Sequence, residues 1–242
     1  MGKQRVCLAG LMAVIGVFAL YRRWLRPGMY RWGATDEEVA AELPGDELIA
    51  PNSAITTRAV TIDAPVTDVW PWLAQIGECR GGFYSYSWLE RAAGAHIRNA
   101  DTVHAELQDL HTGDSIWLAR RYGDVARQVV AAVEPNSHLL LMSPDDFERV
   151  QSGFKASGGW GFYLREQDGW TRLLVRGSGG AVGHTAFDVA HFVMERKMMH
   201  GIRHRAEQLS RDELNAFVRR QYRDVRQISD IAELARNSSP TG

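Results

Sequence analysis

Histidine is the first residue type to weigh in this chain. Eight are present, and three of them, His191, His200 and His204, fall in one stretch with helical spacing. His200 and His204 are four residues apart, which puts them on one helix face at a spacing that can hold a transition metal. Lys197, Arg203 and Arg205 surround them and repel a dication, and no carboxylate nearby supports them, so no metal site is expected. His191 differs. Placed at 100° per residue, Phe187, Ala190, His191, Met194, Met198, Gly201, Ile202 and Leu209 share one face, with Arg196 and Arg203 opposite. A histidine on such a stripe is either a satisfied core residue or one that faces a cavity as general base or polar contact. Both readings stay open, and His191 is the catalytic candidate of this sequence.

The other reactive types carry weaker patterns. Asp101, Glu106, Asp109 and Glu90 are available for acid–base work but show no pair spacing, and are expected as surface carboxylates. Cys7 lies in an apolar run and Cys79 beside Arg80, so no disulfide framework is expected. Residues 177–183 (GSGGAVG) follow a strand pattern and precede a helix, yet lack both the G-x-G-x-x-G spacing and a Walker lysine. They read as a hinge at the helix entrance. No cofactor is implied.

The elements that must position these residues can be read from periodicity and punctuation. A strand is expected over 55–62, and a helix over 66–75 that Pro71 should kink or stop early. A second helix is expected over 87–93. Strands follow over 115–120, 126–134 and 138–143, then a mobile loop over 144–159 and a hairpin of 160–165 with 171–176. The long helix covers about 188–209, and helical pattern resumes over 212–235. Upstream, Thr35 with Glu38 fits a capping box for a short solvated helix over 36–42.

Residues 69–90 concentrate six aromatics, Trp70, Trp72, Phe83, Tyr84, Tyr86 and Trp88, around Gly81-Gly82. The motifs Val69-Trp70-Pro71-Trp72-Leu73, Arg80-Gly81-Gly82-Phe83-Tyr84-Ser85-Tyr86 and Trp88-Leu89-Glu90 resemble the SRPBCC superfamily, the START-like and polyketide-cyclase-like group. The lead-in Trp32-Gly33-Ala34-Thr35-Asp36-Glu37-Glu38-Val39 with Leu43-Pro44-Gly45-Asp46-Glu47-Leu48, and Ala190-His191-Phe192-Val193-Met194-Glu195-Arg196, resemble one bacterial branch of it. The resemblance covers roughly residues 32–209. It implies an α+β helix-grip fold, a curved antiparallel sheet wrapped around a long C-terminal helix, holding a hydrophobic guest. The implied wall is Tyr84, Tyr86, Trp88, Trp117, Met194 and Met198, with His191 as the polar contact. The superfamily includes carriers, cyclases and hydrolases, so a cyclase- or hydrolase-like enzyme using His191, and a non-catalytic scaffold, stand beside the binding reading.

Composition is that of an ordinary globular chain: 45% hydrophobic, 24% charged, net charge −1. That balance argues against a nucleic-acid partner. Residues 6–21 form an uncharged apolar run, preceded by Lys3 and Arg5 and followed by Arg22, Arg23 and Arg26. As a helix it spans about 24 Å, short of a bilayer core but extendable by snorkelling arginines with Trp24 and Tyr21 at the boundary. A cleaved leader ending near Val17-Phe18-Ala19 is the competing reading, and the basic cluster that follows counts against it. The expected organisation is a single-pass anchor over 1–25, an acidic linker over 26–52, the helix-grip domain over 53–210 and a helical extension with a disordered tail over 211–242. The surplus of Lys/Arg on the carboxyl side puts the domain in the cytoplasm.

Overall fold

The computed structural model describes residues 16, 19–51, 53–92, 94–179, 182, 183 and 185–237, without the side chains of 186, 218 and 221–237. A turn of π-helix, Tyr21–Leu25, runs into α1 (Arg26–Tyr30). Then follow α2 (Asp36–Ala40), β1 (Ile55–Ile62), α3 (Val66–Ala74), α4 (Ser87–Ala92), β2 (Ser115–Trp117), β3 (Arg127–Glu134), β4 (His138–Met142), α5 (Pro144–Gln151), β5 (Gly159–Gln167), β6 (Trp170–Ser178) and α6 (Thr185–Asn237). The six strands form one sheet in the order β1-β6-β5-β4-β3-β2, antiparallel throughout. This is an α+β protein with a long C-terminal helix.

Strand alternation sorts side chains to the two faces of the sheet. On one face Val60, Ile62, Leu139, Leu141, Phe162, Leu173 and Val175 meet Leu73 and Ile76 near α3 and Met198, Met199, Ile202 and Ala206 of α6. Gly201 permits the closest helix contact: a Cβ there would lie 2.2 Å from the Tyr84 carbonyl oxygen. Pro71 neither stops α3 nor shortens it: the helix continues to Ala74 with Gln75 as its C-cap, so the expected early stop does not occur. Trp70 and Trp72 are both buried.

The opposite face is covered by the segment read as a solvated linker. Leu43 packs with Ala59, Tyr163 and Leu174, and Leu48 and Ile49 flank Leu140, Met142 and Ala156. Two arginines on β6 hold it there: Arg172 pairs with Glu38, and Arg176 with Asp46 and the carbonyls of Glu38, Val39 and Ala41. The Thr35–Glu38 capping box forms as its spacing dictates.

Three expectations need correction. The mobile loop over 144–159 holds α5, capped by the Ser143 hydroxyl, which accepts from the Asp146 amide, with Pro144 at its first position. The strand over 115–120 stops at Trp117, and two tight helical turns within Arg120–Ala126, broken by a kink at Gly123, follow it. The long helix starts before Asp188 and is continuous through Asn237, joining the two segments read separately. Among the described residues no helix is long and apolar enough to cross a membrane, and most of the apolar run over 6–21 lies outside them. Gly180 and Ala181 of the hinge, Ala93, and the tail from 238 also lie outside the described residues.

Candidate functional site

Between the sheet and α6 lies a cavity of about 670 Å³. Phe83, Ala95, Ile97, Leu118, Ala119 and Trp160 supply apolar wall, and α6 contributes Phe187, Ala190, His191, Met194, Glu195 and Met198. Leu89, Tyr122 and Phe187 line it and are also solvent-exposed, so they mark its rim. Gly177, Ser178, Gly179 and Val182 lie along the same cavity, which brings the hinge segment to its edge.

Of the residues expected to form the wall, the structure places His191, Met194 and Met198 on the cavity; Tyr84, Tyr86, Trp88 and Trp117 do not line it. Tyr84 is fully buried, edge-on to Trp72 at 5.8 Å and beneath the Arg205 guanidinium at 4.8 Å. That burial raises its phenol well above the usual range. Tyr86 and Trp88 pair with each other at 6.5 Å, and Trp88 is left exposed. Trp117 carries the guanidinium groups of Arg120 and Arg127 on its ring. The aromatic loop thus reaches the cavity through Phe83 and Ser85, and its tyrosines and Trp88 pack elsewhere. Within it, Asn99 Oδ1 accepts from the Tyr84 amide at 2.7 Å, and Ser85 Oγ donates to the Met194 carbonyl at 2.8 Å, joining loop to helix.

His191 belongs to a buried charged network that periodicity did not show. Arg58 on β1 and Glu195 on α6 form an ion pair with both side chains 1% exposed. Trp160 Nε1 donates to Glu195 Oε1 at 2.8 Å, and Arg58 Nε donates to the Met29 carbonyl at 2.8 Å. His191 Nδ1 lies 3.3 Å from an Arg58 nitrogen, and Nε2 lies 3.5 Å from Glu195 Oε1. Arginine can only donate, so Nδ1 accepts and the proton sits on Nε2, facing the carboxylate. Burial, and after it the Arg58 charge, hold the imidazole pKa below its usual value, outweighing Glu195. The ring is neutral, and neither nitrogen offers a free lone pair to a substrate.

A signal for this network was present in the sequence. Arg58 shares the inward phase of Val60 and Ile62, and Glu195 sits four residues after His191 on the apolar stripe. Each is an isolated charge at a core position, and each requires the other.

The second carboxylate is Glu90 on α4. It was read as a surface residue, but it is 7% exposed and lines the cavity. Its Oε2 is buried with no hydrogen-bond partner, and burial pushes its carboxyl up to about 7, against an ordinary 4.5. Asp146, the third acid on the lining, is fully served: it accepts from Ser143 Oγ, the Ser157 amide and Ser157 Oγ.

The segment ahead of the sheet reaches this site too. Asp188, buried in the first turn of α6, accepts from the Tyr30 hydroxyl at 2.7 Å and from the Gly183 amide at 3.0 Å, and pairs with Arg26 at 3.4 Å. His200 packs edge-on against Trp32 at 5.3 Å, and no group of His, Cys, Asp and Glu with metal-ligand spacing occurs among the described residues.

No protein-family model matches the chain, and no curated protein matches it. Solved structures similar to it include a protein from Nitrosomonas europaea, 12% identical, with 69% of this chain and 99% of that chain covered at a TM-score of 0.44. A Polyketide_cyc-like protein from Corynebacterium glutamicum is 13% identical, with 69% and 96% covered and a TM-score of 0.31. A protein of the dynemicin biosynthetic locus is 16% identical, with 60% and 46% covered and a TM-score of 0.32. These likenesses are loose, and the fold rests on the strand order and helix packing described above.

Proposed function

We propose that this chain is a membrane-tethered protein of the SRPBCC helix-grip type that its motifs resemble, binding a hydrophobic small molecule or lipid between sheet and helix. The observation that carries the reading is the cavity itself, a space of about 670 Å³ walled by Phe83, Ile97, Leu118, Met194 and Met198. Volumes of this order accommodate drug-sized guests, and burial of apolar ligand surface supplies the driving force, ~25 cal/mol per Å². Methionine side chains adapt to irregular shapes, which suits such a wall. A catalytic role for His191 is the weaker reading, because Arg58 and Glu195 occupy both ring nitrogens.

The tether rests on the uncharged run over 6–21 and its flanking arginines. Arg26, five residues beyond the run, pairs with Asp188 at the start of α6, next to the hinge segment along the cavity edge. A span ending there would deliver the bilayer to the rim, with the domain on the cytoplasmic side.

The test is extraction of protein purified from its membrane, with mass spectrometry of the released material against a Met194→Trp/Met198→Trp variant. A discrete apolar compound, lost from the variant while its circular dichroism is unchanged, is the expected result. Equal recovery from both proteins would remove these methionines from the wall and overturn the reading.

A further inference from the structure

We propose that the guest is an apolar molecule carrying a cationic amine, and that Glu90 receives its charge. The inference rests on the reading of the cavity as a binding site and names the class of ligand that fits it. Among the described lining residues there is no lysine or arginine, so nothing on the wall would neutralise a fatty acid or another anionic headgroup. Three carboxylates do reach the lining, and two are already satisfied: Glu195 by Arg58 and Trp160, Asp146 by Ser143 and Ser157. Glu90 alone lacks a donor, with Oε2 buried and unpaired.

A carboxylate in that setting gains most from a ligand that brings both a positive charge and N–H donors. Phe83 and Trp160 on the same lining add aromatic rings, a residue type that attracts cations. A hydrocarbon would bury equally well but leave the Glu90 oxygen unserved, and an alcohol would bring one neutral O–H donor and no charge.

Ionisation gives the inference a second readout. Glu90 titrates at about 7, raised by burial and opposed weakly by Arg91 beside it. The other titratable groups on the lining are Tyr122, Asp146, His191 and Glu195. Of these, His191 faces Arg58 and Glu195 with its pKa lowered by burial, and Glu195 and Asp146 are committed to their partners. An alkylamine stays charged across this range, so its affinity follows the Glu90 proton: full above the Glu90 pKa, and lost as pH falls through it.

The experiment is displacement of the neutral fluorophore N-phenyl-1-naphthylamine from the full chain by dodecylamine, dodecanol and dodecanoate at about pH 8. Dodecylamine is expected to bind about tenfold tighter than dodecanol, with dodecanoate the weakest. Glu90→Gln should bring the amine to the level of the alcohol, and the wild-type preference should disappear at about pH 5 while alcohol binding holds. Alcohol binding with no amine preference, or a preference that survives Glu90→Gln or acidification, would overturn this inference alone. Failure of fluorophore and alcohol alike to bind would overturn the cavity reading and the inference with it.

Discussion

On the α6 side of the cavity, Glu195 is clamped by Arg58 and Trp160; on the α4 side, Glu90 faces the same space with a buried oxygen and no donor. Both are almost fully buried, at 2% and 7% exposure. Burial alone therefore does not determine what a carboxylate does. The first is built into the fold, where its charge is matched and its two oxygens are fixed by groups on β1 and β5. The second has no charge partner of this kind and no donor to its buried oxygen, and burial raises its pKa.

Removing Arg58 should do the most to break this contrast. Arg58→Met leaves Glu195 buried and uncompensated, with an expected loss of about 3–5 kcal/mol in urea unfolding, whereas Arg58→Met/Glu195→Gln should recover a large part of it. Equal destabilisation in the single and double variants would mean that the pair contributes through packing alone. Next in size, Glu90→Gln should stabilise the protein by roughly 1–3 kcal/mol at about pH 8. The sign follows from the raised carboxyl. In the folded protein Glu90 keeps its proton up to about 7, while in the unfolded chain it is lost above about 4.5. Wild-type stability therefore falls between those values relative to the variant and runs parallel to it above them. A difference between the two that does not change with pH would show that Glu90 is ionised in the fold. The smallest effect is expected for Trp160→Phe, about 1–2 kcal/mol, because Glu195 Oε1 loses its indole donor while His191 Nε2 still faces it and Arg58 still holds Oε2. Thermal melts should resolve it, and a loss as large as that of Arg58→Met would make Trp160 the principal partner.

The legibility of the two sites differs for the same reason. Elements with a period were readable: the strands over 55–62, 126–134 and 138–143, the 160–176 hairpin and the Met194–Met198 stripe all depend on alternation or helical spacing. The Thr35–Glu38 box depends on a fixed offset, and it was readable too. Arg58 and Glu195 were readable in principle, since each breaks an apolar phase. Glu90 was not. The short helix α4 turns its acid inward and leaves Trp88 exposed, which inverts the rule that apolar residues face the core. The surroundings of Glu90 come from residues distant in sequence that share the lining with it, Leu118, Ala119 and Met198 among them. The aromatic loop misled for a related reason: its composition suits a ligand wall, but Trp72, Arg205 and Lys197 claim its rings.

The pairing of Arg58 with Glu195 also bears on how the chain is made. The two residues are 137 positions apart, so Arg58 leaves the ribosome long before its counter-ion exists. The strand that carries it pairs only with β6, which is itself synthesised late. Until β6 emerges, β1 has no sheet neighbour, and until α6 follows, its arginine has no counter-ion; a bare guanidinium resists burial. The core therefore closes only after synthesis has passed residue 195, and nascent chains halted short of that point should stay open to proteases, however complete their strands.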